Sequence, residues 1–162
     1  MFLGLRRATK IADLAEGEER IVDGRVVGRR ELTVPGTKLK CVWFYQLSES
    51  FEVGARGRGR KMWVPKNAQQ KSEGFFVDDG TGQVWIAANE EGTEVSGGVE
   101  EAGMLGKKGK SRYIARMIRG GDTVRVRGLV CKAKGAEPGD SLVLRPGKKG
   151  KLEILFKKAL RD

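Results

Sequence analysis

Residues 74–87 read GFFVDDGTGQVWIA. Two apolar runs, Phe75-Phe76-Val77 and Val84-Trp85-Ile86-Ala87, flank Asp78-Asp79-Gly80-Thr81-Gly82. Glycine enters positive φ without steric cost and aspartate bonds its own backbone, so the segment predicts a β-hairpin. Asp78 and Asp79, adjacent in a tight turn, point in different directions and read as turn formers, not as a metal or acid–base pair. Two strands alone cannot bury an apolar face in water, so more strands must pack with this hairpin.

Upstream, Lys10 to Glu18 reads as a lead-in anchored by Ile11 and Leu14, with a turn at Gly17. A strand is expected from Glu19 to Gly28, with Ile21, Val26 and Val27 as packing residues and Gly24 marking a bulge or tight bend. Leu39 to Leu47, rich in aromatic and β-branched residues, predicts a second long strand. Lys61 to Pro65 is its expected return partner, leaving Glu49 to Arg60 as an exposed basic loop. Residues 88–110 are glycine-rich and pass from acidic to basic, which predicts a flexible connector.

Downstream, Tyr113, Ile114, Met117 and Ile118 fall at helical spacing, so Ser111 to Arg119 predicts one short amphipathic helix ended by Gly120-Gly121. Val124 and Val126 alternate with arginines in Asp122 to Cys131, the pattern of a half-buried strand. Closing strands are expected at Ser141 to Leu144 and Leu152 to Phe156, the latter inside a basic C-terminal stretch, 145–162. The sequence of elements matches a mainly β, OB-like five-stranded Greek-key barrel in a single domain. An inserted β-hairpin at 31–72 and the short helix are its additions.

Composition narrows function by exclusion. The chain has 162 residues, two cysteines, no histidine and a net charge of +11. Without histidine there is no Ser-His or Cys-His nucleophile and no common zinc ligand, so no catalytic residue, metal or cofactor is assigned. Cys41 and Cys131 lie far apart in apolar runs and read as buried thiols, which fits a reducing, cytoplasmic location. The charge favours an anionic partner. Acid-free windows hold Arg56, Arg58, Arg60 and Lys61, then Lys107, Lys108, Lys110 and Arg112, interleaved with glycine. The run from Gly54 to Arg60 lacks the Gly-Lys-Ser/Thr ending of a phosphate loop, so nucleotide hydrolysis is rejected. Among the aromatics, Trp43 and Tyr45 share one strand face and Phe44 takes the other. Core packing is expected for most of them, with an exposed set serving as the recognition patch.

The succession IADLAEGEERIVDGRVV, VPGTKLKCVWFYQLSES, MWVP, FFVDDGTGQVWI and GDTVRVRGLV, within residues 8–131, resembles the GIDE domain. That domain occurs in membrane-anchored RING-type ubiquitin ligases of mitochondria and chloroplasts and in prokaryotic relatives. The matching positions are Pro35, Gly36, Cys41, Val42, Trp43 and Tyr45, then Trp63, then Asp78 to Gly82. The family's RING and transmembrane segments are missing from this sequence, and two cysteines cannot hold the metals of a RING. The resemblance therefore implies a non-catalytic interaction module with a protein partner. Membrane association is expected only through a segment absent here. A single-stranded nucleic-acid-binding barrel using the basic loops is the alternative.

Overall fold

The computed structural model of the chain describes residues 6–53, 60–105, 109–134, 137, 142–147 and 150–160. A 3-10 turn at Ile11–Asp13 precedes β1 (Glu19–Val27), β2 (Leu32–Thr33), β3 (Lys40–Cys41), β4 (Trp43–Val53) and β5 (Lys61–Ser72). The hairpin follows as β6 (Phe75–Asp78) and β7 (Gln83–Ile86), then β8 (Thr93–Ser96), β9 (Val99–Leu105) and β10 (Ser111–Ile118). The chain closes with β11 (Thr123–Lys132), β12 (Leu142–Arg145) and β13 (Leu152–Lys158).

Five strands form a closed ring: β1 pairs with β6, β6 with β7, β7 with β12, β12 with β11, and β11 returns to β1. Only the β7–β12 contact in this ring is parallel. Numbered along the chain, the ring strands run 1-2-3-5-4-1, the Greek-key order of an OB-like barrel. Closure removes free sheet edges. The interior takes Val22, Val26, Phe75, Val77, Val84, Ile86, Val124, Val126 and Leu144, with Trp43 at one end. Burying each of the aliphatic side chains contributes about 1.5–3 kcal/mol. β11 is long enough to pair with β12 over Leu129–Lys132 and with β13 over Thr123–Arg127. β13 in turn carries β8 in parallel.

The turn of the opening hairpin is held as its sequence dictates. Asp78 Oδ1 accepts the Gly80 N–H at 2.7 Å, and Asp79 Oδ1 accepts the Thr81 N–H at 2.8 Å. Asp79 Oδ2 also accepts the Ile11 N–H at 2.8 Å, which ties the lead-in to the hairpin. Gly24 serves a different purpose from the expected one: β1 pairs with β11 in unbroken register from Glu19 to Arg25. A Cβ there would lie 2.5 Å from Val77 Cγ1 and 2.6 Å from the Asp78 carbonyl oxygen, so the glycine admits the close approach of β6.

A second, antiparallel sheet has the order β5-β4-β10-β9. It corrects three expectations. Ser111 to Arg119 is no helix: β10 spans most of it, bonded to β4 on one side and β9 on the other. The segment also alternates with period two, Tyr113, Ala115 and Met117 against Ile114, Arg116 and Ile118, and ladders on both flanks outweigh its helical spacing. Residues 88–110 are not simply a connector, because they contain β8 and β9. The loop expected from Glu49 is shorter, since β4 continues to Val53 and β5 begins at Lys61 and runs on to Ser72.

One face of this sheet is covered toward its Phe44 end, while Met62 at the far end of the same face stays 53% exposed. Phe44, Ala115 and Met117 pack against Val34 and Cys41 from the β2–β3 arm. Gln46 Nε2 donates to the Pro35 carbonyl at 2.8 Å and fixes that arm's turn over the sheet.

Candidate interaction face

Antiparallel neighbours share a face, so the registers decide what the uncovered side of the second sheet displays. Tyr45, Leu47, Glu49 and Phe51 of β4 pair with Arg116, Ile114 and Arg112 of β10 and with Gln70, Ala68, Pro65 and Trp63 of β5. β9 adds Glu100, Ala102 and Met104 opposite Arg116, Ile114 and Arg112. Phe51, Ile114 and Met104 stay 39%, 39% and 52% exposed. Large apolar side chains left this open on one face of three adjacent strands mark an interaction surface.

The arrangement is built, not loose. The Arg112 guanidinium carbon lies 4.3 Å from the centroid of the Trp63 ring, and its Nε donates to Glu49 Oε1 at 2.8 Å. Phe51 packs on Trp63 with ring centroids 5.2 Å apart. Further along, Arg116 lies 5.3 Å from the Trp43 ring and 5.9 Å from the Tyr45 ring. Its Nη1 donates to the carbonyls of Val95 and Gly97, so it fastens the second sheet to the β8 edge of the other.

The candidates from sequence separate into groups. Arg60, Lys61, Lys110 and Arg112 converge at one end of the second sheet, because Lys61 sits opposite Val53 and the Lys110 carbonyl accepts the Phe51 N–H at 2.8 Å. Arg60, Lys61 and Lys110 make no ion pair among the described residues. Arg56, Arg58, Lys107 and Lys108 lie outside the described residues. Tyr45 belongs to the face and is half-buried, whereas Trp43 is fully buried in the barrel core and cannot meet a partner. The sequence reading missed Phe51, Met104, Ile114 and Glu49. The alternation of Arg112, Ile114 and Arg116 was the available signal, hidden by an equally good helical spacing.

A cleft of about 610 Å³ beside β1 includes Asp23, Arg25, Asp78 and Asp79. Its carboxylates are committed, since Asp23 forms a two-pronged pair with Arg125 at 2.7 and 2.6 Å and the other two hold the turn. The outer side of β6–β7 is closed by Phe76 against Trp85, centroids 5.0 Å apart, with Val143 and Ala133 beside them. Among the described residues no group of His, Cys, Asp or Glu is arranged to hold a metal ion, and no helix is long and apolar enough to cross a membrane.

These features define an OB-like barrel that carries a second sheet with one open face. Comparison with protein-family models, with characterised proteins and with solved structures finds no match.

Proposed function

We propose that the protein is a non-catalytic interaction module that docks a partner protein on the open face of the second sheet. The observation carrying this reading is the composition of that face. Phe51, Trp63, Met104, Ile114 and Arg112 are neighbours there, and aromatic residues, methionine and arginine are the types enriched in protein–protein interface cores. Trp63 is already held by Arg112 and Phe51, so it forms a firm anchor that costs little ordering on binding.

The resemblance to the GIDE domain supports the same reading, because it implies an interaction domain. Two of the positions that carry it, Tyr45 and Trp63, lie on the second sheet, and Pro35 and Cys41 lie in the arm against its other side. A nucleic-acid reader would instead offer flat aromatic rings open to bases along a basic groove. On this face the Trp63 ring is occupied by a guanidinium, and the other open apolar positions toward β9, Ile114 and Met104, carry no ring.

The test is photo-crosslinking in cells of the source organism with a reactive residue placed at Ala68 or Ala102, both exposed on the open face. The reading expects one dominant adduct that disappears when Trp63→Ser is added. Adducts no different from those of a control at Gln83, on the barrel turn, would overturn it.

A further inference from the structure

Resting on that reading, we infer that the partner presents an acidic segment with apolar anchors, gripped at the end of the second sheet where the basic residues gather. The inference comes from the fold bringing together residues that are far apart in sequence. Arg60 and Lys61 open β5, while Lys110 and Arg112 open β10, and the β4 strand between them places Phe51 beside both.

The local charge is not neutralised from within. Glu49 is taken by Arg112 and Glu52 by Lys66, at 2.8 Å each. Arg60, Lys61 and Lys110 are exposed and have no carboxylate partner among the described residues. Cations of this kind at the rim of an apolar patch select carboxylates in the partner and raise its rate of encounter. The apolar centre, Phe51 with Met104 and Ile114, accepts side chains interleaved with those carboxylates. An extended strand fits when its carboxylates and apolar anchors fall at every second position, because those side chains share one side and so meet both the patch and its rim.

Trp63 supplies the readout. It is half-buried at the patch, while Trp43 and Trp85 are buried, so changes in quenchable tryptophan emission report on Trp63. Without any partner, iodide should quench this emission more strongly than caesium does, and the difference should shrink in the double variant Lys61→Glu, Lys110→Glu. Equal quenching by the two ions in the unaltered protein would remove the electrostatic basis of the inference.

The binding experiment titrates the full chain with three synthetic twelve-residue peptides and with oligothymidylate. At every second position, with Gly between, the first peptide carries Glu and Leu or Phe, the second Lys and Leu or Phe, and the third Glu alone. The first should bind at least tenfold more tightly than the other two, and weaken about tenfold between ~50 and ~500 mM salt. The double charge reversal should weaken it a further tenfold or more while leaving the thermal unfolding midpoint in place. Equal binding of the lysine peptide, tighter binding of oligothymidylate, or no response from the acidic apolar peptide at millimolar concentration would each overturn the inference. The photo-crosslink is independent of these results: an adduct that persists when the acidic peptide fails leaves the docking face standing and removes only the acidic partner.

Discussion

Asp122 and Leu160 are 38 positions apart, yet the Asp122 Oδ1 accepts the Leu160 N–H at 3.0 Å. The other oxygen of the same buried carboxylate accepts the Arg119 N–H at 2.8 Å. One side chain therefore closes the turn between β10 and β11 and pins the end of the chain beyond β13. Asp122→Ala strands both donors, at a cost of about 2–4 kcal/mol. Urea unfolding measures it, and Asp122→Asn, which keeps one acceptor, should recover part of the loss.

Two glycines at similar φ should respond very differently to alanine. Gly74 has φ +86° and a Cβ there would lie 2.4 Å from Trp85 Cζ2, whereas Gly80 has φ +88° and open space around it. Gly80→Ala carries only the backbone cost, about 1 kcal/mol. Gly74→Ala adds displacement of a buried ring and should cost about 3 kcal/mol in all. Comparable melting points for the two variants would contradict the packing described around Trp85.

The two thiols should differ in reactivity. Burial pushes the Cys41 thiol up to about 11, the Glu31 carboxylate adds to this, and a backbone N–H from Trp43 offsets part of it. The thiolate is the reacting form. At pH 8 iodoacetamide should modify half-buried Cys131 first, and Cys131→Ser should leave a protein that labels only on unfolding. The unfolded thiol ionises near 9.0 and the folded one near 11, so the stability tied to this proton is present below pH 9 and is lost between those values. Cys41→Ala should flatten that alkaline decline.

Acid should act on the hairpin. Burial alone would raise the Asp79 carboxyl, but hydrogen bonds from the Thr81 hydroxyl and from the N–H groups of Ile11, Thr81 and Gly82 hold it below the ordinary 3.8. A depressed folded value means the contribution is complete above 3.8 and disappears as pH falls through the lower folded value. Unfolding measured from pH 5 downward should show a steeper acid decline in the unaltered protein than in Asp79→Asn. Identical slopes would detach Asp79 from acid stability.

The barrel was legible because its signals are local. The aspartate-glycine turn and the valine alternation from Val124 each report on the residues beside them, whereas Gly24 answers to the distant Val77 and Asp78. The second sheet was legible only in its β4–β5 pair; its β10 and β9 half was not, for a physical reason. β4 and β10 pair across a separation of more than sixty residues, as with Arg112 and Glu49, and neither segment carries a mark of its partner. Ile114, Met117 and Ile118 satisfy helical spacing as well as alternation, and only the flanking ladders decide between them. The basic loops were visible as composition. That Arg60 and Lys61 would stand beside Lys110 and Arg112 followed from those same ladders and could not be seen before them.

The late arrival of β10 matters during synthesis. β4 and β5 leave the ribosome first, and β4 then waits, one flank bare, for some forty residues, on the order of seconds at ordinary elongation rates. In that interval Phe44, which β10 later helps to bury with Ala115 and Met117, stands on an unsealed ribbon. Any stall before residue 111 would prolong that exposure.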